Sequence, residues 1–72
     1  MKLSEIQDSI FDLLEFLYKA ENNRNKNSYK LALASIDLLN KDHKDITGHY
    51  FVDEKRIMEY HEKQWSVEWK KF

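Results

Sequence analysis

The sequence predicts an all-α fold, a small three-helix bundle that opens with an antiparallel helical hairpin. Three observations carry this. Leu3, Ile6, Ile10, Leu13, Leu17 and Ala20 recur at alternating spacings of three and four, which places them on one helical face. A second periodic stretch follows after a short polar break. The last twenty residues hold a helix start at Asp53 with an apolar stripe behind it, and proline is absent throughout.

Helix 1 is expected from Leu3 to about Glu21. Phe11, Leu14 and Tyr18 widen its stripe on one flank. Ser4 and Gln7 have the spacing of a capping box, and Glu5 and Asp8 suit the positive end of the helix dipole. Residues 22–27, Asn-Asn-Arg-Asn-Lys-Asn, form a polar loop. Asparagine tolerates left-handed backbone and caps helices, so this loop can end one helix and start the next. A loop this short makes the two helices antiparallel neighbours.

Helix 2 is expected from about Ser28 to Asn40 and carries two apolar faces. Tyr29, Ala32, Leu33, Ile36 and Leu39 form one; Leu31, Ala34 and Leu38 form another, roughly opposite. A helix apolar nearly all round is covered on most sides. The stretch Tyr29-x-x-Ala32-Leu33-x-x-Ile36-x-x-Leu39 resembles the second helix of a tetratricopeptide-type hairpin or of a related three-helix trafficking module. A single such unit implies tight helix–helix packing, with Ala32 at the close approach, and nothing about function. Residues 41–48 are expected to be a connection, in which Gly48, the only glycine, takes a backbone conformation that strains other residues.

From His49 onward two structures compete. As a helix, Asp53 caps, Val52 staples to Ile57, and Ile57, Met58, His61, Trp65, Trp69 and Phe72 share a face. As strands, residues 49–69 form a three-stranded antiparallel meander packed on the hairpin, an α+β fold, with Trp65, Val67 and Trp69 alternating against Ser66 and Glu68. The segments between those strands lack Gly, Pro and Asn, so the helix is preferred.

The chemistry-bearing residues point away from catalysis. The 72 residues allow one domain, 1–72, and contain no cysteine, which excludes disulfides and thiolate metal sites. His43 and His49, with Asp42 and Asp45, have the composition of a zinc site but no closed structural zinc spacing. A solvated, cap-like role for His43 is simpler, and His61 is expected to be a partly buried packing residue. The acidic side chains are scattered along solvent faces, and no phosphate-cradling glycine loop is present. No enzyme activity, cofactor or metal is expected. No signal-peptide-like run follows Met1-Lys2 and no apolar stretch approaches 20 residues, so a cytoplasmic chain without membrane contact is expected.

Binding to another protein is the function expected from what is left. Ten aromatic residues are a rich supply for so short a chain, and tyrosine and tryptophan anchor interfaces. The expected contact residues are Leu31, Ala34 and Leu38 on helix 2, with Tyr60, Trp65, Trp69 and Phe72 near the C-terminus. A small regulator or inhibitor fits this pattern, as does a homodimer that completes a thin core. The excess of lysine over arginine suits an AT-rich source such as a phage. The alternative is nucleic-acid binding by Lys55, Arg56, Lys63, Lys70 and Lys71 interleaved with aromatics. Against it, net charge is −1, and Glu54, Glu59, Glu62 and Glu68 lie in the same segment, where a phosphate-binding face needs unopposed positive charge.

Overall fold

The computed structural model describes residues 2–69, and among these all regular structure is helical. Helix α1 spans Leu3–Asn22, α2 spans Lys26–Thr47 and α3 spans Glu54–Ser66. The three-helix expectation holds. The meander over 49–69 does not form, because Asp53 starts a helix in the middle of it: its side chain accepts a hydrogen bond from the Lys55 amide at 3.3 Å. Val52 is buried, and Ile57 packs against the same core, as the staple requires.

The hairpin is the backbone of the molecule. Ile6, Ile10, Leu17 and Ala20 of α1 are buried against Tyr29, Ala32, Leu33 and Ile36 of α2. Ala32 has no bulk beyond its Cβ and lets the two helices approach. The turn is tighter than the polar run suggests. Asn23 and Arg24 make it, Arg24 takes the left-handed conformation at φ 55, and Asn25 caps α2 by accepting from the Ser28 amide at 3.2 Å. The capping box at the start of α1 is not formed: its N-cap is Lys2, without a side-chain cap.

Helix α2 runs two turns past the expected end at Asn40. Residues 41–47 contain no helix breaker, and their polar character conceals an inward-facing side chain, His43. The helix stops where the chain supplies its stop signal, Gly48, in the left-handed conformation at φ 84 with its N–H bonded to the Lys44 carbonyl. His43 is 6% exposed rather than solvated. Its Nδ1 lies 2.7 Å from the His49 carbonyl, which can only accept, so Nδ1 carries the proton. Nε2 then accepts from the Gln7 side-chain amide at 3.2 Å, tying α1 to the end of α2.

Asn40 fixes the way α3 enters. It is 3% exposed and makes three hydrogen bonds to the chain that leads into α3. Its Oδ1 accepts from the amides of Phe51 and Val52, both at 2.9 Å, and its Nδ2 donates to the Val52 carbonyl at 2.8 Å. Phe51 is held as well, with its ring edge-on to Phe11 at 5.2 Å. Further along, the Tyr29 hydroxyl donates to the Tyr60 carbonyl at 2.8 Å, and the Tyr18 and Tyr60 hydroxyls share a hydrogen bond of 3.1 Å. Lys63 pairs with Glu21 at 2.8 Å.

These anchors turn α3 away from the expected face. Tyr60 is its buried residue, while Met58 and His61 are exposed. His61 is not a packing residue; its Nε2 lies 2.7 Å from an Asp37 carboxylate oxygen. The helix ends at Ser66, so Trp69 reaches the core from beyond it, its indole N–H donating to the Gln64 carbonyl at 3.2 Å and its ring 5.0 Å from that of Tyr29. Phe72 lies outside the described residues.

Two outcomes test this packing. Asn40→Ala strands two amides and a carbonyl in the interior and is expected to lower unfolding free energy by about 3 kcal/mol, measured by urea denaturation with helicity as the signal. Burial pushes Tyr29 and Tyr60 up from 10.0 to about 12, Tyr29 with a smaller contribution from Glu21 and Tyr60 with one from its bond to Tyr18. A raised tyrosine pKa means the folded state holds the proton longer. Its stabilisation is therefore complete below pH 10 and is lost as pH rises from about 10 to 12. Absorbance titration is expected to show two of the four tyrosines ionising only near pH 12, together with loss of helicity.

Candidate protein-interaction face

Helix α3 lies on one side of the hairpin only. On α2 its partners are Tyr29 and Asp37, with Asn40 holding the chain just before it; on α1 they are Tyr18 and Glu21. At 100° per residue, Leu31 sits about 120° round α2 from Asp37, and Phe16 about 160° round α1 from Tyr18. Both helices therefore turn a second flank away from α3, and it carries apolar side chains. Leu31 is 70% and Leu38 64% exposed, and Phe16 and Ile46 are more than half exposed.

This open flank is a shallow groove along the hairpin. A depression of about 220 Å³ lies between Leu13 and Phe16 on one wall and Leu31 and Ser35 on the other, with Ala32 and Ser28 completing it. Towards the turn the groove continues past Phe16 to Lys19, Asn23 and Asn25. Towards Gly48 a second depression is lined by Ile6, Ile46, Asp42 and Asp45. The flank thus has an apolar middle, with Asp42 and Asp45 towards Gly48 and Lys19, paired with Glu15 at 3.8 Å, towards the turn. Ser28, Ala32 and Ser35 keep the α2 wall of the apolar depression low.

The contact residues expected from sequence separate into three groups. Leu31, Ala34 and Leu38 are exposed together on the open flank. Tyr60 and Trp69 are internal: Tyr60 is buried between the hairpin helices and Trp69 half-buried over Tyr29. Trp65 is 81% exposed, but on the α3 side of the molecule, where the Lys26 ammonium lies 5.1 Å from its ring. The structure does not gather these six into one surface; the seventh, Phe72, lies outside the described residues. It adds Phe16 and Ile46 to the α2 group. Ile46 escapes a sequence reading that ends α2 at Asn40; the run to Gly48 without a breaker was the available signal.

The basic residues of α3 are dispersed. Lys55 shares its solvent flank with Glu59 and Glu62, Lys63 is neutralised by Glu21, and Arg56 lies beside the Tyr60 hydroxyl. Lys70 and Lys71 lie outside the described residues. Among the described residues no group of three or more His, Asp or Glu side chains is arranged to hold a metal ion, and no helix is long and apolar enough to cross a membrane.

Compared with protein-family models, with curated proteins and with solved structures, the chain matches none.

The two tryptophans separate core from surface. Trp69→Ala is expected to cost about 2 kcal/mol through loss of its packing on Tyr29. Trp65→Ala is expected to stay within about 0.5 kcal/mol of the parent. Thermal or urea unfolding of both variants checks the contrast.

Proposed function

We propose that this chain is a non-catalytic protein-interaction module, a small regulator that works by laying the open flank of its hairpin against another protein surface. The observation that carries this is the groove itself. Leu31 and Phe16 line the groove, Ile46 lines the depression towards Gly48, and Leu38 stands exposed seven residues along α2 from Leu31, all on the flank that α3 leaves uncovered. In a chain of 72 residues, where every buried side chain counts towards a thin margin of stability, large apolar side chains left along one flank mark a contact surface. A cytoplasmic setting accords with the absence of cysteine, and an AT-rich source with the lysine bias. Nucleic-acid binding finds less support, since Lys55 and Lys63 both have carboxylates beside them.

Photo-crosslinking tests the reading. A photoreactive amino acid in place of Leu31 is expected to give discrete protein adducts in cells. The same substitution at Lys55, on the outer flank of α3, is expected to give few or none. Equal labelling from both positions, or adducts to nucleic acid alone, would overturn it.

A further inference from the structure

The α2 wall of the groove is built to pair with itself. Reading outward from Ala34 and Ser35, Leu31 lies on one side and Leu38 on the other. Seven residues beyond Leu38 comes Asp45, near the end of α2, and at the other end Arg24 stands in the turn two residues before the helix begins. Place a second α2 across the first, antiparallel, about a two-fold axis at Ala34 and Ser35. Leu31 then meets the partner's Leu38, and Leu38 meets the partner's Leu31. The Asp45 end of each α2 then lies over the partner's turn, where Arg24 stands. An isologous interface requires this reciprocity, each contact occurring twice. The small residues fall at the crossing point, where bulk would hold the helices apart.

The charges choose between the two ways of stacking such faces. With the hairpins parallel, the Asp42 and Asp45 end of one groove would lie on the same end of the other, carboxylate against carboxylate. Antiparallel, that end lies over the turn, where Arg24 sits without a carboxylate partner and Lys19 is shared with Glu15. Asp42, Asp45 and Arg24 take part in no ion pair among the described residues. Arg24 is also held in the left-handed conformation, φ 55, between two asparagines that adopt it at lower cost.

The available area is sufficient. Helix α2 has 22 residues, about 33 Å at 1.5 Å per residue. Two helices about 10 Å apart give a face of roughly 600 Å² per copy, so a contact that takes in the α1 wall as well as α2 can remove at most roughly 1,200 Å² from water in total, the lower end of the range for stable specific interfaces.

We infer that the occupant of the open flank is a second copy of this chain, packed antiparallel through α2, with the partner's Leu38 entering the depression between Phe16 and Leu31 and Asp45 paired to the partner's Arg24. This rests on the flank being a protein-contact surface, and it names the protein. Met58 and Trp65 remain exposed on the outer sides of the dimer.

Light scattering and sedimentation over a concentration series test it on the full chain. The mass expected is twice 8.8 kDa. Asp45→Arg and Arg24→Asp are each expected to weaken the dimer about tenfold, the combined effect of two symmetry-related pairs, and the double variant to recover most of the loss. All three alter exposed side chains, and circular dichroism should show unchanged helicity. Leu38→Glu should give monomer. A parent that stays monomeric at every concentration overturns the inference; if the Leu31 crosslinker still marks a different protein, the broader reading stands, and if it marks nothing, both fall. A dimer indifferent to Leu38→Glu overturns the assignment of this flank. Single variants that weaken the dimer with no recovery in the double overturn the antiparallel register.

Discussion

Everything outside the hairpin depends on one buried asparagine. Asn40 presents an amide oxygen and an amide nitrogen to a chain that has just left α2 and must reverse direction within a few residues. Phe51 and Val52 offer two donors and an acceptor in return. Left unpaired in the interior, each of those groups would cost about 1–3 kcal/mol. Paired, they fix where the loop turns, and so where Asp53 starts α3. An apolar residue at position 40 would add to the core and leave the loop without a register. The tyrosine cluster works downstream of this choice. Tyr29 reaches the Tyr60 carbonyl, and Tyr18 the Tyr60 hydroxyl, only because α3 has been delivered along that side of the hairpin.

Delivering α3 to one side has a consequence on the other. Two helices present two broad faces, and a 13-residue third helix covers part of one. The clamp at Asn40, the ion pair of Glu21 with Lys63 and the aromatic contacts of Phe11, Tyr18 and Tyr29 all lie towards α3. The opposite flank retains the leucines of α2 and Phe16 of α1. A third helix of a closed bundle would lie in such a groove; here the groove stays open, and the proposed function follows from that asymmetry.

The hairpin was legible in sequence because its signal is periodic. Spacings of three and four bury Ile6, Ile10 and Leu17, and every residue assigned to the first apolar face of α2 except the half-buried Leu39 is buried. Gly48 and Asp53 were legible because each fits a backbone requirement that few residues meet. The stretch between Asn40 and Gly48 was not, since its inward residues are polar: Asn40 is satisfied by the backbone of Phe51 and Val52, and His43 by the His49 carbonyl and the Gln7 side chain. Hydrophobic periodicity does not register a polar core. The orientation of α3 was hidden for the same reason. Met58, His61 and Trp65 form as good a stripe as Ile57, Tyr60 and Gln64, and the decision falls to the Tyr60 carbonyl and hydroxyl, which meet Tyr29 and Tyr18. Of the interaction face, the leucines of α2 were legible as a second apolar stripe; that α3 leaves them uncovered is a property of the clamp.

Amide hydrogen exchange at Phe51 and Val52 tests the clamp most directly. These two N–H groups lie in irregular chain, where exchange is ordinarily fast. If Asn40 holds the entry to α3, both exchange as slowly as the interior amides of α2 and lose that protection in Asn40→Ala while the hairpin amides of Ile10 and Leu33 keep theirs. Exchange of Phe51 and Val52 at the rate of an open loop in the parent protein would contradict the account.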